Sequence, residues 1–366
     1  MSFFTQKIFN SYNKAFGVDV SDLSVKVFEL GESGKRKSIF GFGTAPIERG
    51  SVVNGDIVKK ENVILAIKKA IQGSKPKRIK IKRVICALPE TKVFLRILNI
   101  PQMNEEELEE AIKWEIEANI PLPLDQVYFD WKMLENNFND PAEKKVSILM
   151  VAVAQKTVDQ LLEVMEGAGL KVVGLDVESM AQARSLVNEK TEKDKTNLLI
   201  DLGDRVAGFI FTFGKTPCFT SNIPLSSQSI TDAIVSGLGL SMEEAEKTKA
   251  EFGIGSFSEP DAIFKATKPV VDSLAAEIEN SVDFYLTSLK YSEEIDKIII
   301  FGGGANIKNL VPYLGSKLGR ELIVGDPQIN FNQSKPEAIL RKEDAIHYST
   351  AIGLALRGLN PYEGIY

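Results

Sequence analysis

Two segments of this sequence read alike, and they constrain the fold more than anything else in it. Residues 16–30 (FGVDVSDLSVKVFEL) predict a strand, a tight polar turn and a returning strand. Residues 198–211 (LLIDLGDRVAGFIF) predict the same, and each first strand ends in an aspartate. Asp19 and Asp201 lie 182 positions apart in 366 residues, almost half the chain. Two similar halves with a cleft between them are the economical interpretation. An aspartate before a tight turn places a carboxylate beside the turn's backbone N–H groups, which form a nest for anions. Lys26 follows on the returning strand. Two such hairpins facing each other would grip phosphates while their carboxylates hold Mg²⁺ through waters.

Each half continues in the same style. A strand is predicted over 38–47 and a helix over 62–71, with Val63, Ile67, Ala70 and Ile71 on one face. The basic run 75–83 (KPKRIKIKR) reads as a solvated edge or turn leading into a strand over 84–88. In the block that follows, Asn104 and Glu107 form a capping box for a helix with Leu108, Ala111, Ile112, Ile116 and Ile120 in rhythm, which Pro121 stops. A strand begins at Val127, a polar turn covers 136–145, and 146–177 reads as a β-α-β unit. A charged spacer, 188–195, separates the halves. The second half holds a helical run over 226–252, a helix over 269–289 with Pro269 at its start, a buried strand over 297–301, a helix over 307–318 and a last helix over 343–356.

Composition removes several function classes. With 44 Lys+Arg against 50 Asp+Glu, and the basic residues spread along the chain, a nucleic-acid partner is not expected. One His and two Cys cannot close a Cys/His zinc site, and the two Cys fit a reducing compartment rather than a disulfide scaffold. The most apolar stretch, 146–154, falls far below the ~18–20 residues of a spanning helix. The N-terminus does not read as a signal peptide. Its Phe3, Phe4, Ile8, Phe9, Tyr12 and Phe16 suit one side of a helix, expected to pack on its own domain, with a membrane surface or a partner as the alternatives.

A third segment, Ile298 to Leu310 (IIIFGGGANIKNL), puts glycines after a buried strand, where a ligand can approach the backbone. It is neither G-x-G-x-x-G nor a P-loop. In their order, the three segments resemble the actin-like ATPase superfamily: phosphate hairpin, second phosphate hairpin, Gly-rich adenosine segment. Residues 101–108 (PQMNEEEL), 111–115 (AIKWE), 120–124 (IPLPL) and Asp130 resemble the type IV pilus assembly protein PilM family, as does the ending 350–358 (TAIGLALRG). That family is itself similar to the cell-division protein FtsA.

The resemblance implies an α/β (mixed α+β) fold, actin-like and ribonuclease H-like, two-lobed, with an inserted FtsA-like 1C subdomain. Its divisions would be 1–88 (1A, first part, with the N-terminal helix), 89–174 (the SHS2-like 1C insert), 175–195 (1A continuation and interdomain connection), 196–225 (2A, first part), 226–295 (2B), 296–340 (2A, second part) and 341–366 (a closing helix returning to 1A). It implies ATP and Mg²⁺ as cofactors. Asp19, Ser21, Asp22 and Lys26 would form the first phosphate hairpin, and Asp201, Gly203 and Asp204 the second. Gly302, Gly303, Gly304 and Asn306 would form the adenosine segment. Residues 245–253 (AEKTKAEFG) match an A-E-x-x-K helix and make Glu246 and Lys249 ribose and adenine candidates; without a ligand they would be a solvated helix face. Asp19 and Asp201 would hold Mg²⁺ through water, and Glu178 would orient an attacking water.

The first hairpin departs from the family's D-x-G-[ST]: Ser21 replaces the glycine and Asp22 the hydroxyl. An Asp22 carboxylate about 4 Å from a terminal phosphate would cost ~1–4 kcal/mol unless Mg²⁺ or a turned-away side chain cancels it. Asp204 departs from the PilM and FtsA pattern but matches the D-x-G-D-x-V of actin. Nucleotide binding with at most weak hydrolysis is therefore expected. The implied partners are the tail of a PilN-like inner-membrane protein, docked between the first subdomain and the insert, and pilus motor ATPases. Cytoplasmic placement, with membrane contact only through partners, and a homo-oligomer are further implications. The alternatives are an FtsA- or MreB-like filament and a small-molecule kinase of the same superfamily.

Overall fold

Buried runs of apolar residues at the centre of each build two sheets with one topology. The computed structural model describes residues 14–33, 36–134, 145–288, 294–331 and 340–359. The expected N-terminal helix lies outside the described residues except for Phe16, which begins a strand and not a helix face; most of the polar turn over 136–145 also lies outside them. The chain divides into one unit of residues 1–185, 330–341 and 350–366, and a second of 186–329 and 342–349.

In the first unit, β1 (Phe16–Val20), β2 (Ser24–Ser33) and β3 (Arg36–Pro46) form an antiparallel meander. The short β4 (Val52–Val53) and β5 (Asp56–Ile57) pair with each other, and α1 (Lys60–Gln72) follows. Then come β6 (Lys75–Pro76), which borders β3, and β7 (Arg83–Leu88), which lies parallel to β1. The order β11-β7-β1-β2-β3-β6 is completed by β11 (Lys171–Val177). α1 buries Val63, Ala66, Ile67 and Ala70, close to the face predicted for it. These pack with Phe16, Val18, Val25, Val27, Val84 and Cys86 of the sheet.

The insert is a separate three-stranded sheet in the order β8-β10-β9. Its strands are β8 (Val93–Pro101), β9 (Val127–Met133) and β10 (Lys145–Ala154). α2 (Glu105–Asn119) covers it, capped as expected: Asn104 Oδ1 accepts the Glu107 N–H at 2.9 Å and Glu107 Oε2 accepts the Asn104 N–H at 3.2 Å. Leu108, Ile112 and Ile116 bury against Val127, Ile148 and Met150. The β-α-β unit expected over 146–177 is divided between two sheets. β10 belongs to the insert, whereas α3 (Gln155–Gly167) buries Val158, Leu161, Val164 and Met165 in the core of the six-stranded sheet, and β11 pairs with β7. Periodicity cannot say which sheet a strand joins.

In the second unit, β12 (Thr196–Leu202), β13 (Ala207–Phe213) and β14 (Thr216–Ile223) repeat the antiparallel meander. β15 (Lys297–Phe301) and β16 (Leu322–Val324) repeat the parallel pair, in the order β14-β13-β12-β15-β16. The duplication legible in two hairpins is thus a duplication of five strands, each unit running meander first and parallel strands second.

The helices of this unit differ in detail from the sequence reading. The run over 226–252 is two helices, α5 (Ser227–Leu238) and α6 (Met242–Phe252). Gly239 at φ 68° ends the first, and a Ser241/Glu244 capping box starts the second. α7 (Ala262–Asp283) starts seven residues before Pro269, which lies inside it. The Asp261 carboxylate accepts the Phe264 N–H at 2.7 Å, and the buried Phe264 and Thr267 extend the apolar face, so a cap plus burial outweighs proline's preference for the first turn. α8 (Leu310–Leu318) begins three residues later than expected, after a single 3₁₀ turn over Gly303–Asn306. The last expected helix is a short α9 (Lys342–Ala345), a 3₁₀ turn and α10 (Ser349–Leu359). α4 (Glu178–Leu186) follows β11 directly. In the first unit α10 lies so close to β1 and α4 that a Cβ on Gly17 would sit 2.3 Å from the Ala351 carbonyl, and one on Gly353 would meet the Ala181 carbonyl.

Candidate functional site

The candidate residues fall into two groups, one in each unit. In the first, Asp19 stands opposite Lys26 in the β1–β2 register, one residue before the end of β1. Its side chain is 9% exposed, with Lys26 Nζ 3.8 Å away. Burial pushes the Asp19 carboxyl above its ordinary range, and Lys26 only partly offsets this. A carboxylate in that condition gains from a second cation. The turn is closed by Ser21: its N–H donates to the Ser24 carbonyl at 2.9 Å, its Oγ donates to the same carbonyl at 3.0 Å, and the Ser24 N–H returns to Ser21 Oγ at 3.3 Å. The hydroxyl thus holds the tight turn that the family's glycine would allow by its conformational freedom.

Asp22 is bound to a neighbouring turn. Its carboxylate accepts the N–H groups of Asn54 (3.0 Å) and Gly55 (3.1 Å), at the turn between β4 and β5. Those two residues have φ of 51° and 81°, so the two amides converge on one acceptor. Asp22 holds its neighbouring hairpin, and this gives the substitution of a hydroxyl by a carboxylate a structural reason. Glu178 opens α4, and its Oε2 accepts the Glu90 N–H at 2.9 Å while Glu90 Oε2 accepts the Ser179 N–H at 3.2 Å.

In the second unit, Asp201 stands opposite Gly208 on one side and Phe301 on the other, next to Gly302. Gly302 has φ 80° and ψ 178°, a conformation reserved for glycine, and a Cβ there would lie 2.3 Å from Asp201 Oδ1. A Cβ on Gly304 would meet the Leu202 side chain at 2.4 Å. The glycines therefore allow the 302–304 backbone to lie directly against the aspartate hairpin. A Cβ on Gly303 would approach the ring of His347, the sole histidine, at 3.4 Å. In the hairpin turn, the Gly203 N–H donates to the Val206 carbonyl (3.1 Å). The carbonyls of Gly203 and Asp204 accept the N–H groups of Ser227 (3.0 Å) and Gln228 (3.1 Å), so the start of α5 rests on this turn.

Lys249 extends the group. It is 9% exposed, and its three Nζ hydrogens are shared among four acceptors: Thr231 Oγ1 (2.6 Å), Ser227 Oγ (3.0 Å), the Ser227 carbonyl (3.2 Å) and Glu246 Oε1 (3.0 Å). Glu246 Oε1 also accepts from Thr231 Oγ1 at 2.6 Å. Burial alone would raise the Glu246 carboxyl, but the Thr231 hydroxyl and Lys249 hold it below the ordinary range. Both bonds use Oε1. Lys249 is thus buried in a polar cluster, with Glu246 at the exposed edge of it. Asn306 donates from Nδ2 to the Glu343 carbonyl at 2.8 Å and so secures α9.

Asp201, Gly203, Asp204, Ser227, Lys249, Glu246 and the three glycines form one connected chain of contacts. Ser227 and Thr231 were not singled out by sequence reading; the only signal was the Ser226-x-x-Ser229 cap that begins α5. Among the described residues no group of three or more His, Cys, Asp or Glu side chains is placed to hold a metal ion. No helix among them is long and apolar enough to cross a membrane.

Comparison with known proteins bears on this arrangement. A family model described as "Type IV pilus assembly protein PilM" matches residues 17–359. A solved PilM-PilN type IV pilus biogenesis complex superposes with a TM-score of 0.79 at 25% identity, covering 94% of this chain and 98% of that one. MreB5 of Spiroplasma citri bound to ADP superposes at 0.52 and 13% identity over 97% and 98% of the two chains, and shares the fold. Among curated proteins, cell division protein FtsA of Bacillus subtilis is 24% identical over 273 residues, 68% of this chain. The chain spans about six-tenths (61%) of the length of that relative.

Proposed function

Starting from the fact that this chain belongs to the type IV pilus assembly protein PilM family, we propose that it is an ATP-binding scaffold of an inner-membrane pilus assembly platform, or of a related secretion or DNA-uptake machine. Its fold is actin-like. The observation that carries nucleotide binding is the bare backbone of 302–304 lying against Asp201, a glycine cradle whose close approach a Cβ at Gly302 would block. The residues present fit the nucleotide. Asp201 and the Gly203 turn face the phosphates, with Asp19, Ser21 and Lys26 supplying the equivalent hairpin of the other unit and Lys26 contacting the β-phosphate. Gly302, Gly303 and Gly304 back the adenosine, with Asn306 following. Glu246 and Lys249 take the ribose and adenine, and Asp204 borders the phosphate turn.

Mg²⁺, when bound, supplies positive charge to the phosphates, and Asp19 and Asp201 would hold it through water. The raised carboxyl of Asp19 suits that role, because a cation restores its charged form. Glu178, fixed by Glu90, is the residue that would orient water, and hydrolysis is at most weak. Nucleotide acts chiefly as a conformational ligand that changes the surface offered to partners. A PilN is named as the partner in the solved complex. By extension, the tail of a PilN-like protein docks on this chain between the six-stranded-sheet subdomain and the insert. It would tie the scaffold to the inner membrane and through it to the motor ATPases.

Calorimetry tests the two parts separately. A PilN-type N-terminal peptide is expected to bind with micromolar or tighter affinity. Absence of heat with and without Mg-ATP overturns the partner. Asp201→Ala and Lys26→Ala are each expected to weaken Mg-ATP binding; unchanged affinity in both overturns the site.

A further inference from the structure

Among the surface features that nucleotide and tail binding leave unused, the basic run 75–83 is the most developed. It is not a loose solvated loop. Ile79 is 2% exposed, its N–H donates to Ser74 Oγ (2.9 Å), and Ser74 Oγ donates to the Ile71 carbonyl (2.8 Å). With Ile79 plugged into the core of the first unit, Lys77, Arg78, Lys80 and Lys82 are held outward and exposed. Among the described residues none of the four meets a carboxylate at ion-pair distance, in a chain whose net charge is −6.

Topology gathers more positive charge at the same place. β1, β7 and β11 are parallel, with Phe16 beside Val84 and Arg83 beside Lys171, so all three strands start at one end of the sheet. The tip of the β2–β3 hairpin, where Ser33 pairs with Arg36, reaches the same end because β2 runs antiparallel to β1. Lys14, Arg36 and Lys171 are exposed there. Among the described residues, the carboxylates near this end include Glu29, which feels Lys14 and Lys77, Glu32, and Glu166 just before the turn into β11. The Asp19 hairpin lies at the opposite end, past the finish of β1.

We propose that this end of the six-stranded sheet is a docking face for an anionic lipid surface. Two observations favour lipid over an acidic protein. Lys77 Nζ stands 5.3 Å over the ring of Phe40, which is 39% exposed, so cations and an aromatic ring share the face. In sequence, the thirteen residues that precede Lys14, itself exposed at this end, include Phe3, Phe4, Phe9 and Tyr12. Cations beside aromatic groups match headgroup phosphates over an apolar boundary. The contact adds to any tether supplied by a membrane partner and leaves the phosphate hairpin free.

Vesicle co-sedimentation of the full chain tests this, with phosphatidylcholine alone and with phosphatidylcholine plus phosphatidylglycerol. Binding is expected only with phosphatidylglycerol, without nucleotide, and lost at high salt. At about fivefold per cation, Lys80→Ala/Lys82→Ala lowers the partition coefficient roughly 25-fold. The charge-matched control Lys247→Ala/Lys265→Ala, on exposed residues of the second unit, leaves it unchanged, and both variants melt like the parent. Equal binding to both vesicles, equal loss in both variants or no binding to either vesicle overturns the proposal. Binding to a polyglutamate peptide but not to anionic vesicles reassigns the face to an acidic protein.

Discussion

Replacing Asp176 by Asn should destabilise the first unit by about 3 kcal/mol, and the estimate follows from its surroundings. Asp176, near the end of β11, has a side chain 1% exposed; its Oδ2 accepts from Arg184 Nη1 of α4 at 2.7 Å and lies 3.4 Å from Arg357 Nη1 of α10. Removing one partner of a buried pair costs about 3–5 kcal/mol because the other charge stays behind. Here two guanidiniums stay behind, but each keeps a carbonyl acceptor: Gly353 at 3.2 Å for Arg184 and Leu175 at 2.6 Å for Arg357. Their side chains also remain 19% and 15% exposed, which places the loss at the lower end of that range. The assay is urea unfolding followed by tryptophan fluorescence. Both tryptophans, Trp114 and Trp131, are in the insert and report on this unit alone.

The pH dependence supplies a second test of the same network. Burial raises the Asp176 carboxyl, but the two arginines outweigh it and the net shift is downward from 3.8. A depressed carboxyl contributes stability that is complete above its unfolded value and is lost as pH falls through its folded one. The variant should therefore lose stability at neutral pH and show a flatter acid limb below about pH 4. A loss under about 1 kcal/mol with an unchanged acid limb would refute the reasoning. Replacing all three groups with Leu, Met and Met should restore most of the stability, since a packed apolar trio leaves no charge stranded.

Gly302→Ala should abolish Mg-ATP binding and cost about 1–3 kcal/mol in the second unit, because the new Cβ meets Asp201 Oδ1 in a backbone conformation that alanine resists; retention of affinity in titration would mean that the cradle is not the site. Asp22→Asn should leave Mg-ATP affinity within about threefold and cost about 1 kcal/mol by weakening its hold on Asn54 and Gly55. A tenfold or larger gain in affinity would show that the carboxylate faces the phosphate after all. Thr231→Val should free Glu246 Oε1 and reduce the preference for ATP over 2′-deoxy-ATP, with Thr231→Ser restoring it; an unchanged ratio argues against Thr231 as a positioning residue.

Local rules account for much of what was legible. The Asn104 cap with Glu107, the stop at Pro121 and the apolar face of α1 each depend on residues within one or two turns of one another; the first two appear as read, and the third with Ala66 in place of Ile71. The Asp19 and Asp201 hairpins were legible because alternation and a polar turn are also local. Missed features depend on competition between local signals or on neighbours far along the chain. Pro269 looked like a helix start until Asp261 and the buried Phe264 claimed that role. β11 followed α3 at the spacing of a simple β-α-β unit, yet it left the insert for the larger sheet, where β7 offers a parallel edge.

The site divides in the same way. By itself the sequence determined that two aspartates stand near the ends of two equivalent strands and that glycines follow a third, because alternation, turn residues and glycine's conformational freedom are all local signals. Only the tertiary structure decided what each polar group does. Asp22 turns to amides 32 and 33 residues ahead, and Lys249 reaches back 18 and 22 residues to Thr231 and Ser227. Arg357 closes on a strand 182 residues earlier. A charged or hydroxylated side chain is satisfied by whichever partner folding brings within about 3 Å, and sequence spacing carries no record of that distance.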